Sequence, residues 1–378
     1  MAALVTSALS KATTAVKSTL VSQPKQPDDW IKWTEVEKPV ENEEEKITKL
    51  IEITGRMQAR NINLHGKAFR VTHVKSLAFV KGYLTISSDL PSHLQYGLFA
   101  SPGKRFDVIG RYANEPVHIL DDTIKSPRGL GIKVFGVEGN PIEGTQGTGS
   151  MDLHFNSAPM LELTDLDTCL EIFDLRERYW DDNADLQKEL AKRADTTKQS
   201  APASLPNLPV IGLQMYTQAA FRFGPYVAHF SLKPTNTFQT SLSNSLQLSS
   251  TASADEHSIE LRTYFANHPA QYDLLAQFSS SLESQPVEDA SQVWDEAYAP
   301  WIKLGELEFG VQDSLSNERR QWWENEIALS PFNALEDHRP LGSVNRLRKR
   351  VYEASRTRRA AVNGTEVKFP KSATEMPN

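Results

Sequence analysis

The segment AFRVTHVKSLAFVKGYLTIS, residues 68–87, decides the fold class of this 378-residue chain. It is rich in β-branched and aromatic residues, a composition typical of a β-strand. Similar short runs follow at residues 105–113, 129–137 and 152–157, and stretches rich in glycine and proline separate them. A series of short strands without long helices between them predicts an antiparallel sheet that closes on itself.

A second set of strands is predicted downstream, at residues 215–235, 258–268 and 301–310. Proline, serine and alanine dominate residues 196–212, which predicts a loop, and residues 281–300 read as an acidic connector.

Helical patterns flank both strand sets. Residues 43–62 repeat apolar side chains at helical spacing, which places Ile47, Leu50, Ile51, Ile53 and Met57 near one face. Residues 160–196 return to helix, and a last helix is predicted from about Leu341 to Ala361. Strands and helices in this arrangement predict the α+β class.

The composition of the chain limits the classes of function that it can have. Lys and Arg number 41 and Asp and Glu number 48, so the net charge of −7 argues against general nucleic-acid binding. No run reaches the roughly 20 apolar residues that a membrane-spanning helix needs. A single cysteine, Cys169, excludes an intrachain disulfide framework and a thiolate-held metal cluster. We therefore expect an intracellular protein. The cytoplasm is the expected location, and a mitochondrial or membrane-associated location is the alternative.

The first 27 residues differ from the rest of the chain, because they contain no acidic residue and carry Lys11, Lys17 and Lys25. Their apolar residues recur at helical spacing, so a flexible tail, a targeting segment and an amphipathic helix with peripheral membrane contact all remain open. The predicted organisation is a flexible or targeting segment over 1–30, one domain over 31–362 and a flexible tail over 363–378.

Several catalytic motifs are absent from the sequence. There is no GxxxxGK[ST], GxGxxG, GxSxG or HExxH pattern, and the nine histidines show no tight metal-ligand spacing. The chemistry must therefore come from residues that the fold brings together.

The basic helix around LGSVNRLRKRVYEASRTRRA, residues 341–360, is the most informative segment for function. Arg348 and Tyr352 are four residues apart and Arg359 follows seven later, so all three lie near one helix face. A cation beside a phenol stabilises the phenolate, which can ligate ferric iron. A solvated helix face, or a patch for phosphate or acidic lipid, is the alternative.

Two further segments could carry chemistry on the other side of such a site. His73 follows Thr72 in a strand-like alternation, and an imidazole facing a metal could move a proton between the two oxygens of a peroxide. Asn156 in DLHFNSAP could donate a hydrogen bond to bound peroxide. Taken alone, each residue is also compatible with an ordinary structural role.

Read in order, the motifs RVTH, GRYA, SPRGLGIKVF, FNSAP, FRFGPYVAHFSL and RLRKRVYEASRTR resemble the catalase superfamily. The similarity covers roughly residues 40–360 and is greatest to the short catalase-like branch related to allene oxide synthases. The resemblance implies an antiparallel β-barrel of about eight strands with flanking helices and a buried haem b with its iron. It assigns Arg128, in SPRG, a structural role.

The resemblance also implies roles for residues on the side of the basic helix. Tyr352 matches the iron ligand, and Arg348 matches the arginine that keeps that tyrosine ionised. Arg359, Arg70 and Arg111 match arginines that face the haem propionates.

On the opposite side, His73 resembles the distal histidine and Asn156 the distal asparagine. Thr72 stands where typical catalases carry Val and allene oxide synthases carry Thr, and its hydroxyl can tune the neighbouring histidine. Ala113 replaces a serine, and Arg356 replaces a histidine one turn beyond the tyrosine. These departures put efficient catalase activity in doubt.

The expected function is that of a haem-dependent oxidoreductase acting on hydrogen peroxide or organic hydroperoxides, of peroxidase or weak catalase type. The alternatives are an isomerase or dehydratase of lipid or other organic hydroperoxides, and a non-enzymatic haem-binding protein. No nucleic-acid partner is expected, and association into a homo-oligomer follows from the resemblance.

Overall fold

The computed structural model of the protein describes residues 25–145, 148–245 and 247–378. These residues form nine antiparallel strands in one sheet. The strands are β1 (Ser76–Ile86), β2 (Arg105–Asn114), β3 (Arg128–Phe135), β4 (Ser150–Asn156), β5 (Met215–Tyr216), β6 (Phe221–Phe223), β7 (Tyr226–Pro234), β8 (Ala270–Phe278) and β9 (Ile302–Phe309).

Eight of the strands close into a barrel. The order runs β5-β4-β3-β2-β1-β9-β8-β7, and β5 pairs with both β4 and β7, which joins the two ends of the sheet. Asn156 faces Tyr216 across the first of these pairs, and Met215 faces Leu232 across the second. Strand β6 is a hairpin addition on β7. The predicted antiparallel barrel of about eight strands is therefore confirmed.

Alternation along the strands fills the barrel with apolar side chains. Strands β3 and β4 place Leu130, Ile132, Leu153 and Phe155 in the buried core of the barrel. Since successive side chains of a strand point to opposite faces, the residues between them point outward. The outer face of β2, β3 and β4 is where the cavity described below lies.

Eight α-helices accompany the barrel in the described part of the chain. They are α1 (Glu43–His65), α2 (Leu166–Arg178), α3 (Asn183–Ala191), α4 (Thr196–Ser204), α5 (Thr237–Ser245), α6 (Glu256–Asn267), α7 (Asn317–Asn325) and α8 (Ser343–Asn363).

Helices α1, α2 and α8 share a second hydrophobic core. Ile47, Leu50 and Met57 of α1 pack in one buried cluster with Leu347 and Val351 of α8. Apolar residues three and four positions apart line up on one helix face. Helices α1 and α8 therefore each bury one apolar face, and their other faces can carry polar side chains. The expected helices over 43–62 and 341–361 are confirmed.

A charged clamp fixes the start of α8. The Arg346 guanidinium donates to the carboxylates of Glu37, Glu43 and Glu288, with closest N–O distances of 2.6, 2.7 and 3.0 Å. The backbone N–H of Ser343 also donates to Glu288, at 2.7 Å. An acidic group at a helix N-terminus interacts favourably with the helix dipole. The clamp therefore fixes the start of α8 against α1 and against the segments that carry Glu37 and Glu288.

Two of the predicted elements are wrong. Residues 196–204 of the expected loop form α4, where the buried Gln199 side chain donates to the backbone oxygen of Glu162 at 2.8 Å. The run at 258–268, expected to be a strand, belongs to α6, because Leu261, Tyr264 and Phe265 are buried at helical spacing. The strand of this region is β8, which begins only at residue 270.

Residues near both ends of the described chain pack against buried side chains. Trp30 stacks on Phe278 with ring centroids 4.0 Å apart, and Met376 lies in a buried cluster with Trp323. The segment expected to target the protein or contact a membrane falls largely on residues 1–24, which lie outside the described residues. Within the described ranges, no helix is long and apolar enough to cross a membrane.

Candidate functional site

A cavity lies between helix α8 and the outer face of strands β2, β3 and β4. It encloses about 1430 Å³ of space, part of which is open to solvent. All eight residues singled out from the sequence line it, namely Arg70, Thr72, His73, Arg111, Asn156, Arg348, Tyr352 and Arg359.

Two glycines of β3 let other side chains pack directly on the barrel wall of the cavity. A Cβ atom on Gly129 would lie 2.5 Å from the ring of His73, and one on Gly131 would lie 3.0 Å from the side chain of Leu329. The first distance would force His73 to move, and the second would require Leu329 to shift slightly. Glycine at position 129 is therefore what allows the His73 ring to lie against the barrel.

His154 and Asn156 of β4 project from the same wall, because side chains two residues apart share a strand face. Asn156 pairs with Gly129 and His154 with Gly131. The Oδ1 atom of Asn156 accepts a hydrogen bond from the N–H of Ala158 at 2.9 Å. Its amide NH₂ makes no hydrogen bond to any described residue, so this donor is available to a ligand.

Tyr352 approaches from the opposite side, on helix α8. Its Oη atom lies 3.5 Å from Nδ1 of His154, and the two rings are nearly parallel, with centroids 5.6 Å apart. The Nε2 atom of His154 is buried and has no hydrogen-bond partner among the described residues. Burial, followed by the charge of Arg348, lowers the pKa of His154 to about 3, so its ring is neutral at pH 7.

His73 occupies a strained bend rather than the predicted strand. Its φ angle is 54°, in the left-handed region that non-glycine residues seldom adopt, and β1 begins only at Ser76. Two backbone contacts hold the bend: the N–H of His73 donates to Glu115 at 2.8 Å, and its carbonyl accepts from Arg111 Nη2 at 2.6 Å. The strand prediction was wrong because alternation in a short segment does not reveal a single left-handed residue.

The imidazole of His73 is neutral at pH 7. Burial is the largest cause and the cations Arg111, Arg348 and Arg70 add to it, so its pKa falls to about 3. A neutral imidazole can accept a proton from a bound acid and return it. Strain of this kind is typical of functional sites, where the surrounding structure maintains it.

The cavity also holds arginines without counter-ions. Arg70 donates to the carbonyl of Trp323 at 2.8 Å, and Arg359 donates to the carbonyl of Ile327 at 3.2 Å. The Nε atom of Arg359 is buried without any partner among the described residues. Burial, followed by the charge of Arg70, lowers the pKa of both Arg111 and Arg359 well below the usual arginine value.

Within the described chain, no carboxylate lies within 4 Å of these arginines. Glu324 is close enough to raise their pKa values, but its oxygens pair with Lys67 at 2.8 Å and Arg320 at 3.9 Å. Burying cations without partners is costly. The cavity is therefore built to receive an anionic group from outside the chain.

Arg348 reaches the cavity, but not the Tyr352 phenol. Its Nη1 atom donates to Oδ1 of Asn345 at 3.1 Å. Its predicted role beside the tyrosine therefore stays a prediction. Arg128, expected to be structural, points elsewhere and binds Asn207 and His257 at 2.8 and 3.0 Å.

An acidic group also lines the cavity near His73. Burial is the main cause that raises the pKa of Glu115 to about 7, with the neighbouring carboxylate of Glu162 adding to it. Arg176, which binds Glu162 at 3.1 Å, acts in the opposite direction. Glu115 therefore changes charge close to neutral pH.

Solved structures share this architecture. A fungal catalase superposes with a TM-score of 0.57 at 16% sequence identity, over 82% of this chain and 65% of the catalase. A bacterial catalase gives 0.57 at 15% identity over 80% and 59%. Catalase A from Saccharomyces cerevisiae gives 0.58 at 14% over 80% and 62%.

The barrel has the catalase fold. The chain covers only about three fifths of each of these catalases, and identity at this level establishes the fold alone. The predicted fold class is thus confirmed, whereas the narrower assignment to the short branch stays a prediction.

Sequence comparison adds one curated relative. A linolenate 9R-lipoxygenase from Nostoc sp. is 26% identical over 380 residues, which cover 90% of this chain and 45% of the relative. The chain thus spans less than half of that protein. No protein-family profile matches the sequence.

Sequence reasoning did not single out His154, the two wall glycines or Glu115. One signal for His154 is its place two residues before Asn156, because a strand that turns Asn156 toward a site turns His154 the same way. Glycine at 129 and 131 repeats with the same period. Glu115 carries no such signal, since its approach to the cavity depends on the bend at His73.

Proposed function

We propose that this protein is a haem-dependent oxidoreductase that acts on hydrogen peroxide or organic hydroperoxides. The observation that carries the proposal is the position of the Tyr352 phenol, which lines the same cavity as the uncompensated arginines Arg70, Arg111 and Arg359. A phenolate is an established axial ligand of haem iron.

The residues present suit a haem better than a bare metal ion. No cluster of three or more His, Cys, Asp or Glu side chains in the described residues could hold a metal. A tetrapyrrole brings its own four nitrogen ligands, so one phenol suffices from the protein. Its two propionates would neutralise Arg111 and Arg359. The sequence has no CxxCH motif for covalent attachment, which favours haem b.

Tyr352 of helix α8 would hold the iron, and the charge of Arg348 would balance the negative charge of the phenolate ligand. Arg359 of α8, Arg111 of β2 and Arg70 would bind the propionates. The buried cations, which are costly when unpaired, would then each have a partner of opposite charge.

On the barrel side, the residues act on the peroxide. A bound haem supplies a redox-active iron at which the O–O bond can be cleaved. The neutral His73 imidazole takes the proton from one peroxide oxygen and delivers it to the other. The free NH₂ of Asn156 orients the oxygens, and Thr72 tunes His73 through its hydroxyl.

A second candidate is an isomerase or dehydratase of organic hydroperoxides. Thr72 favours it, since this residue type occurs at that position in allene oxide synthases. The similarity to a protein named linolenate 9R-lipoxygenase adds a fatty-acid context, because lipoxygenase chemistry yields lipid hydroperoxides. Both candidates need the same haem, the same tyrosine ligand and the same His73.

The test is the absorption spectrum of the full chain, expressed with sufficient haem supply and recorded before and after peroxide is added. We expect a Soret band, stoichiometric haem and a rate with peroxide above that of free haemin. Protein that takes up no haem, even after reconstitution, would contradict the proposal. If the haem-loaded protein reacts with every peroxide only as fast as free haemin does, the protein binds haem but is not an enzyme for peroxides.

Comparing substrates separates the two candidates. Hydrogen peroxide with an electron donor tests peroxidase turnover, and a fatty-acid hydroperoxide without a donor tests isomerisation. Fast conversion of the lipid without donor oxidation, together with inertness toward hydrogen peroxide, would favour the isomerase or dehydratase.

A further inference from the structure

We propose that His154 binds the haem iron from the face opposite Tyr352 in the resting protein. The inference rests on the proposed function, because it requires a haem held by Tyr352. It assigns a ligand role to a histidine to which neither the sequence motifs nor the resemblance gives any role.

The first observation is the convergence of two donor atoms from opposite walls. Tyr352 comes from helix α8 and His154 from strand β4, yet Oη and Nδ1 are 3.5 Å apart. The two rings are nearly parallel, with centroids 5.6 Å apart. A metal held by the phenol oxygen would therefore be within reach of the imidazole.

The second observation is that Tyr352 is the one hydrogen-bond partner of the His154 imidazole in the described part of the chain. Nδ1 meets the phenol oxygen at a long 3.5 Å, and the buried Nε2 has no partner among the described residues. Buried polar atoms are nearly always paired, so a weakly held imidazole of this kind is available to bind a ligand. Imidazole is among the commonest protein ligands for metals, haem iron included.

The position of His154 distinguishes it from the other histidine of the cavity. His73 lies against Gly129, where a Cβ would come within 2.5 Å of its ring, and its backbone is fixed by two hydrogen bonds. His154 pairs with Gly131 one step along the ladder, and its ring stacks on Tyr352. Both histidines line the cavity, but it is His154 that contacts the candidate iron ligand Tyr352.

Binding of His154 to the iron would slow the reaction of the haem with added ligands. A protein with both axial positions filled must release His154 before a peroxide can reach the iron. Small added ligands such as cyanide would have to displace the imidazole too. His154 would then limit access to the iron without taking part in proton transfer.

The experiment compares the ferric spectra of haem-loaded wild type and His154→Val. Valine keeps the β-strand preference and much of the bulk at this position while removing both nitrogens. We expect electron paramagnetic resonance and absorption spectra of a low-spin, six-coordinate iron in the wild type and of a high-spin iron in the variant. Cyanide should bind His154→Val at least about tenfold faster.

Two controls make the assignment specific. His73→Asn, which suits the left-handed backbone at this position, should leave the low-spin spectrum unchanged, because no hydrogen bond or ring contact joins His73 to Tyr352 among the described residues. In His154→Gly, added imidazole should restore the low-spin spectrum through the vacated space. If His154→Val does not retain its haem, the restoration of the low-spin spectrum of His154→Gly by imidazole tests the ligand assignment instead.

A high-spin ferric wild type would overturn the inference, and so would a low-spin spectrum that His154→Val leaves unaltered. In both cases haem is bound, so the proposed function would stand. Failure of the wild type to bind haem at all would overturn both proposals, and it differs visibly from the other outcomes because no Soret band appears.

Discussion

The Nη2 atom of Arg111 lies 2.6 Å from the carbonyl oxygen of His73. This contact ties a left-handed bend outside the sheet to the rigid strand β2, and Arg111 Nε adds a bond to Ser76 at 3.0 Å. The arginine proposed to bind a propionate therefore also holds the backbone of the proposed proton carrier. Ligand binding and the position of His73 are linked through one side chain.

Replacing His73 with asparagine should abolish peroxide turnover and leave haem binding intact. Asparagine tolerates the left-handed conformation better than most residues, so the bend should persist while the imidazole is lost. Removing a general acid–base group typically costs about 10²- to 10⁴-fold in rate. Stopped-flow kinetics with peroxide and the haem content of the purified variant measure the two effects.

The matched comparison is Thr72→Val, which removes only the neighbouring hydroxyl. It should alter the rate less than His73→Asn does and should retain haem. Turnover by His73→Asn at the wild-type rate would remove His73 from the mechanism.

Replacing Asn156 with aspartate should lower turnover on the order of 10²-fold. Aspartate can still accept the hydrogen bond from the N–H of Ala158, so the turn after β4 is kept, but the NH₂ donor is lost. Steady-state rates, with circular dichroism to verify the fold, provide the measurement. An active Asn156→Asp enzyme would show that this amide does not contact the peroxide.

Replacing Arg359 with methionine should stabilise the haem-free protein and weaken haem binding. The substitution removes a buried cation whose Nε has no partner, for a gain of about 1 kcal/mol in the free energy of unfolding. Thermal unfolding without haem measures the gain in stability, and titration with haemin measures the loss of haem affinity. Arg350→Met is the control, because Arg350 lies on the same helix and pairs with Glu44. Equal haem affinity in Arg359→Met and wild type would contradict the propionate assignment.

Glu115 should make the haem-free protein less stable as the pH rises through 7. Its pKa in the folded chain is raised to about 7, above the roughly 4.3 of an exposed glutamate. The folded state therefore holds a proton that the unfolded state has released. The resulting stability is complete below the unfolded pKa and is lost as the pH rises through the folded pKa.

The test is the difference in Tm between about pH 6 and pH 8, in wild type and in Glu115→Gln. The slope from one proton is at most about 1.4 kcal/mol per pH unit, and the glutamine variant should lose that contribution. An unchanged difference in Tm would mean that Glu115 does not titrate in this range.

The sequence predicts the barrel well because its signals are local. The runs that became β1 to β4 are short, β-branched and separated by turns, and the face of α8 follows from helical spacing. Residues 258–268 were misassigned because aromatic and β-branched residues suit a strand, while the burial of Leu261 and Phe265 follows the helical period. Tertiary packing decided that segment.

The site was predictable only in part. The spacing on α8 places Tyr352 and Arg359 on one face, and the order of the motifs suggests their partners across the cavity. The left-handed bend at His73 and the contact between His154 and Tyr352 depend on which strands meet in the barrel. His154 and Tyr352 are 198 positions apart, and His73 and Arg111 are 38 apart, so both contacts lie beyond the reach of local patterns.

The most direct test of the central claim is the haem content and absorption spectrum of Tyr352→Phe, purified beside the wild type. Phenylalanine keeps the ring that stacks on His154 and removes only the oxygen that would bind iron. We predict that the variant loses its haem or the absorption features of ferric tyrosinate. A variant with the haem content and the spectrum of the wild type would contradict the claim that Tyr352 holds the iron.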